Sequence, residues 1–147
     1  MLKIMFSLLV LGSVGLAQSS SDGSFSVHHS KHRDFSLSPA QMREAENLYQ
    51  SVCTIVEREF HNGTVKLHPQ FTVVIGTDRN EVLGKTVQRR AVPTYDEIRL
   101  KKWDPVIFAQ GVVVLAFDQL LTEDGIKQLT ARAVRYSDAT VDVAGLK

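Results

Sequence analysis

Asp104-Pro105-Val106-Ile107-Phe108-Ala109-Gln110-Gly111-Val112-Val113-Val114-Leu115-Ala116-Phe117-Asp118-Gln119-Leu120-Leu121 is the stretch whose reading decides the fold. After Asp104, only Gln110, Asp118 and Gln119 in it are strongly polar. Read as a helix, it has a wide buried surface; read as a strand from Gly111 onward, it is the centre of a sheet. Asp104 suits an N-cap, Pro105 suits the first helical position, and the run is long for a strand. The three consecutive valines, Val112 to Val114, oppose this locally through their stiff side chains. The balance predicts a helix. Gly111 then marks a close approach to another backbone, and Gln110 needs a partner in the core.

Outward from this run, Thr122 caps a second helix, with Glu123 and Asp124 in the first turn where they complement the helix dipole. Ile126, Leu129, Ala133 and Val134 form its apolar face, while Lys127, Arg132 and Arg135 point outward. Upstream, Leu37-Ser38-Pro39-Ala40-Gln41-Met42 combines an N-cap, a Pro at the first helical position, a capping box closed by Gln41 and a Leu37–Met42 staple. Met42, Ala45, Leu48, Val52, Ile55 and Val56 continue at helical spacing, which predicts a helix ending near Phe60 with Asn62-Gly63 as its stop. Cys53 sits on or beside the apolar face, where a packed thiol is expected in preference to a nucleophile or an intermolecular disulfide.

Between these helices, Phe71-Thr72-Val73-Val74-Ile75 reads as a strand that reverses at Gly76-Thr77-Asp78-Arg79-Asn80. Glu81 to Val87 is a weaker strand with Gly84 as a bulge. Tyr95 to Leu100 is a third, with Ile98 and Leu100 on one face and Glu97 and Arg99 on the other. The short connections predict an antiparallel meander. Lys85, Arg89, Arg90, Arg99, Lys101 and Lys102 cluster around it, and a charged edge that discourages aggregation explains them at least as well as an anionic ligand does. The expected fold class is thus α+β: an N-terminal amphipathic helix, a small antiparallel β-meander, then two C-terminal helices packed on the sheet.

Residues 1–17 have the pattern of a signal peptide. Lys3 supplies the positive start, Ile4 to Leu11 the apolar run, and Gly15-Leu16-Ala17 the small residues of a cleavage site after Ala17. The apolar run is shorter than the roughly 20 residues a spanning helix needs. Residues 18–36 are rich in Ser, Gly, His and charge and are expected to form a flexible arm, with residues 37–147 as a single α+β domain. In the arm, His28, His29 and His32 have the density of a weak metal-binding tract, though a solvated tail is the simpler reading. The localisation expected is secreted or periplasmic, and in a eukaryotic source Asn62-Gly63-Thr64 is a glycosylation sequon.

The chain has 147 residues, 17 Lys+Arg, 16 Asp+Glu, five His and one Cys, and is 44% hydrophobic. Removing residues 1–17, in which Lys3 is the sole charge, leaves 130 residues with 16 cationic and 16 anionic side chains. This neutrality argues against a general nucleic-acid binder, and one Cys excludes a disulfide framework or a Cys-rich metal site. There is no Gly-x-Ser-x-Gly elbow, phosphate-binding loop or dinucleotide turn. Glu57, Glu59 and His61 lie close together, but a solvated helix end explains them better than acid/base chemistry does. Tyr95 and Trp103 are expected to anchor the sheet to the helices.

The order helix, small sheet, apolar helix, amphipathic helix resembles the catalytic core of the zincin metallopeptidases. In that family the sheet precedes a buried helix bearing His-Glu-x-x-His, whose histidines bind zinc and whose Glu activates water. The corresponding helix here spans 104–121 and contains no histidine, Asp118-Gln119 being its nearest echo. The resemblance therefore assigns no catalytic, cofactor-binding or metal-ligating residue. The expected function is non-catalytic: an exported small soluble domain that binds a protein or small molecule or acts by structural association, with no cofactor, no nucleic acid and no membrane span. A homodimer through Val106 to Leu121 is a candidate assembly. The alternative is a small exported hydrolase or a zincin-like pseudoenzyme.

Overall fold

The computed structural model describes residues 17–59, 68–83, 96–117 and 122–145, with side chains described through Asp138. The elements are β1 (Gln18–Ser19), β2 (Phe25–His29), α1 (Pro39–Glu59), β3 (Phe71–Ile75), β4 (Glu81–Leu83), β5 (Glu97–Leu100), α2 (Pro105–Phe117) and α3 (Glu123–Gly145). Mixed α and β content is as expected, and the decisive run forms a helix. The leader before Ala17, Asn62-Gly63, His61, Gly84, Lys85, Arg89, Arg90, Tyr95, Asp118 and Gln119 lie outside the described residues.

The expected N-terminal helix is not the first element, and the stretch expected to be a flexible arm is part of the sheet. Phe25-Ser26-Val27 alternates apolar and polar residues over a single strand's length, and Phe25 and Val27 are buried. Five Ser and Gly residues just before it hide that period in the composition. β1 joins β2 through a turn in which the Asp22 carboxylate accepts from the Ser24 N–H and the Ser20 hydroxyl. The Gln18 carboxamide accepts from Leu37 N–H and donates to Leu37 C=O, pairing β1 with the entry to α1.

The expected antiparallel meander is also corrected. The sheet order is β1-β2-β3-β5-β4. β2, β3 and β5 run parallel, with Val27 opposite Val73 and Val73 opposite Ile98. Antiparallel pairing is confined to the two edges, β1 on β2 and β4 on β5. The parallel β2–β3 pair needs a long crossover, and α1 supplies it. From β3 the chain passes to the outer edge as β4 and returns as β5 between them.

Both α1 and α2 cover one face of the sheet, to which β2, β3 and β5 contribute Phe25, Val27, Phe71, Val73, Ile98 and Leu100. α3 packs on α1 and α2, and of the two C-terminal helices α2 is the one whose backbone comes close to the sheet, at β4 and β5. Phe108 of α2 is fully buried, with ring centroids 5.4 Å from Phe25, 6.0 Å from Phe71 and 5.3 Å from Trp103. α2 is apolar nearly all round because it lies between the sheet and α1 and α3. The apolar surface expected to serve a homodimer is, over 105–117, mostly used by the chain's own core.

Local signals fix the helix starts. The Gln41 N–H donates to Ser38 Oγ at 3.1 Å and the Ser38 N–H to Gln41 Oε1 at 2.9 Å, the reciprocal capping box. Asp104 Oδ1 accepts from the N–H groups of Val106 and Ile107, and Thr122 Oγ1 from that of Gly125. Ser38→Ala is expected to cost about 1 kcal/mol in denaturant unfolding by leaving the Gln41 N–H without its side-chain acceptor.

Candidate functional site

α2 and the outer edge of the sheet form a groove. Ile107, Gln110, Gly111 and Val114 stand at i, i+3, i+4 and i+7, one stripe of the helix. That stripe faces Val82 of β4 and Ile98 and Leu100 of β5, with Asn80, Glu81 and Arg99 at the rim. Asn80 Oδ1 accepts the Lys101 N–H at 2.9 Å, tying the turn before β4 to the end of β5. The space is about 220 Å³. Ile107, Gln110, Val114 and Val82 are half-buried while Gly111 is buried, so the helix stripe is incompletely covered. No partner within the described residues meets the Gln110 carboxamide, so the core partner expected for it is replaced by the groove itself.

Gly111 does mark a close approach, but to a side chain rather than a backbone. A Cβ there would lie 2.9 Å from Ile98 Cδ1, 3.0 Å from its Cγ2 and 3.1 Å from its Cγ1. Because Ile98 is 1% exposed, it has little room to retreat. Glycine thus lets α2 settle onto β5.

A second cleft of about 580 Å³ opens at the carboxyl ends of β2, β3 and β5. Ser30 and Lys31 form one wall and Gly76 to Arg79, Glu81 and Arg99 the other. Its charges are largely matched internally: Arg79 reaches Glu81 at 3.3 Å, and Arg99 reaches Glu81 at 3.8 Å and the buried Glu97 at 3.1 Å.

The structure separates the acid/base candidates. Glu57 pairs with His68 at 2.6 Å, and Glu59 pairs with Arg132 of α3, which holds its carboxyl below the usual range. Cys53 is buried and unpaired, and burial pushes its thiol up to about 11, so thiolate is scarce at neutral pH. Tyr49 donates to the Pro69 carbonyl, and burial raises its phenol to about 12.

The three histidines do not converge on a metal site. His29 Nδ1 accepts two backbone N–H bonds, from Lys31 at 3.0 Å and His32 at 3.1 Å, while its Cε1–Nε2 edge lies against Gly76. Among the described residues no group of three or more His, Cys, Asp or Glu side chains is placed to hold a metal ion.

Sequence reasoning singled out Gln110 and Gly111 but not the groove, because β4 and β5 reach α2 only through the parallel topology. Their spacing with Val114 was the available signal: these three positions have the offsets of the first His, the Glu and the second His in His-Glu-x-x-His. The Asp118-Gln119 echo does not coincide with them. The chain matches no family model, no curated protein and no solved structure.

Proposed function

We propose that the groove between β4 and α2 binds an extended segment of another polypeptide without cleaving it, and that the protein does so after export through its leader. The observation that carries this reading is the stripe Ile107, Gln110, Gly111 and Val114 beneath an edge strand. Among the described residues, β4 pairs with β5 on one side and with nothing on the other, so its outer N–H and C=O groups suit an added strand. A volume of about 220 Å³ is small for a drug-sized ligand, which usually occupies roughly 300–1,000 Å³, but suits one or two apolar side chains of an added chain. The Gln110 carboxamide, which has no partner among the described residues, offers both a donor and an acceptor to a peptide backbone.

A second reading is a zincin-like pseudoenzyme, with α2 standing where that family has its zinc-binding helix. The positions offset as the family's ligands and base carry Gln110, Val114 and Gly111; valine and glycine side chains supply neither a zinc ligand nor a proton acceptor. Among the described residues, no helix is long and apolar enough to cross a membrane.

Selection of random peptides on the immobilised protein tests the proposal. Peptides that bind are expected to lose at least tenfold in affinity for Val114→Arg, whose side chain enters the groove, and to stay intact by mass spectrometry with Zn²⁺ present. Undiminished binding to that variant, or cleavage of the peptides, would overturn it.

A further inference from the structure

His29 ends β2 opposite Ile75 of β3, at the lip of the larger cleft. Its ring holds the next three residues in place. Nδ1 accepts from the N–H groups two and three residues on, the arrangement usually built by Asn or Asp side chains at turns. A nitrogen that accepts has no proton, so the neutral ring carries its proton on Nε2. The turn it closes is also the cleft wall. Ser30 donates its N–H to the Ile75 carbonyl and its hydroxyl to the Gly76 carbonyl, both at 2.8 Å, joining the two walls at their base.

The fit depends on Gly76. Its φ of +86° is a conformation that L side chains rarely adopt, and a Cβ there would fall on the His29 ring. His32 and Phe35 close the other sides, with ring centroids 4.6 Å and 5.1 Å from His29.

We infer that His29 is a proton-sensitive latch on this cleft: the Ser30–His32 wall is held only while the imidazole is neutral, and acidification releases it. A proton on Nδ1 replaces an acceptor of two hydrogen bonds with a third donor facing two others. The turn must then open or the ring must leave Gly76.

Charges around the ring work in the same direction. Within the turn, His32 and Lys31 act on His29, both as cations when protonated; from β3 the ring meets the uncharged backbone of Gly76, and Phe35 adds no charge. Across the cleft, Glu81 is engaged with Arg79 and Arg99, while Asp78 stands on the same turn as Arg79. Partial desolvation and then these two cations hold His29 below the ordinary histidine value of 6.5. The neutral form is thus preferred by the folded chain. Its stabilising contribution is complete above about pH 6.5 and is lost as the pH falls through the lower folded value.

Two-dimensional NMR across pH 4 to 8 tests the latch on the whole protein. The His29 ring resonances and the backbone amides of Lys31 and His32 are expected to move together, with one midpoint below 6.5. His29→Asn keeps an acceptor for both N–H groups and does not titrate in this range; made together with His32→Gln, so that no second imidazole stands on these amides, it is expected to leave both of them in place. His32→Gln alone removes the neighbouring imidazole and its repulsion of a charged His29 ring, and is expected to raise the His29 midpoint while leaving the coupled movement intact. Amides that do not follow His29 in the wild type, an unchanged transition in the double variant, or loss of the transition in His32→Gln would each overturn the latch.

Discussion

Phe108→Ala is expected to lower the unfolding free energy by about 3–5 kcal/mol, the usual range for removing a buried phenylalanine. Phe108 lies where the layers meet: its ring packs against Phe25 of β2, Phe71 of β3 and Trp103 before α2, and none of it reaches solvent. Truncation leaves a cavity bounded by strands and by a helix held on its other side by α1 and α3, so the walls have little freedom to collapse. Urea unfolding monitored by circular dichroism gives the number. A loss under about 1.5 kcal/mol would mean that α2 is not seated on the sheet as described.

Gly111→Glu is expected to cost at least about 3 kcal/mol, combining overpacking with burial of a carboxylate that has no partner. The cause is Ile98, whose three outer carbons crowd the site a Cβ would occupy. Gly111→Ala separates the two effects. Alanine gains about 1 kcal/mol in helix propensity over glycine, so a net loss of about 1 kcal/mol in that variant isolates the clash. A stable Gly111→Glu protein would show that β5 yields to α2 and would remove the argument that this position excludes a catalytic carboxylate. For the same reason, placing His, Glu and His at Gln110, Gly111 and Val114 is not a route to a folded zinc peptidase without also shortening Ile98.

The helices were legible because their determinants are local. Ser38 with Gln41, Asp104 with Pro105, and Thr122 each announce a start within four residues, and the structure uses all three. The length of the run after Asp104 rightly outweighed its three valines. Strand pairing was not legible, because the partners are far apart in sequence. β2 pairs across α1 with β3, and its period of two lasts only five residues inside a polar stretch. Without β2, α1 had no parallel pair to connect, and β3 to β5 read naturally as a meander. The groove was lost by the same step: Gln110 and Gly111 stood out, but their neighbours Val82 and Ile98 are brought to them only by the order β3-β5-β4. His29 was noticed as a metal-ligand type, whereas its structural work depends on Gly76, 47 positions away.

Amide hydrogen exchange of the protein with and without a bound peptide most directly tests the central claim, that the groove receives an extended chain. Added-strand binding predicts that the outward-facing amides of Glu81–Leu83 slow at least tenfold and that the Gln110 side-chain amide resonances shift. Protection confined to the cleft at Ser30, Lys31 and Gly76, or no change along β4, would contradict it.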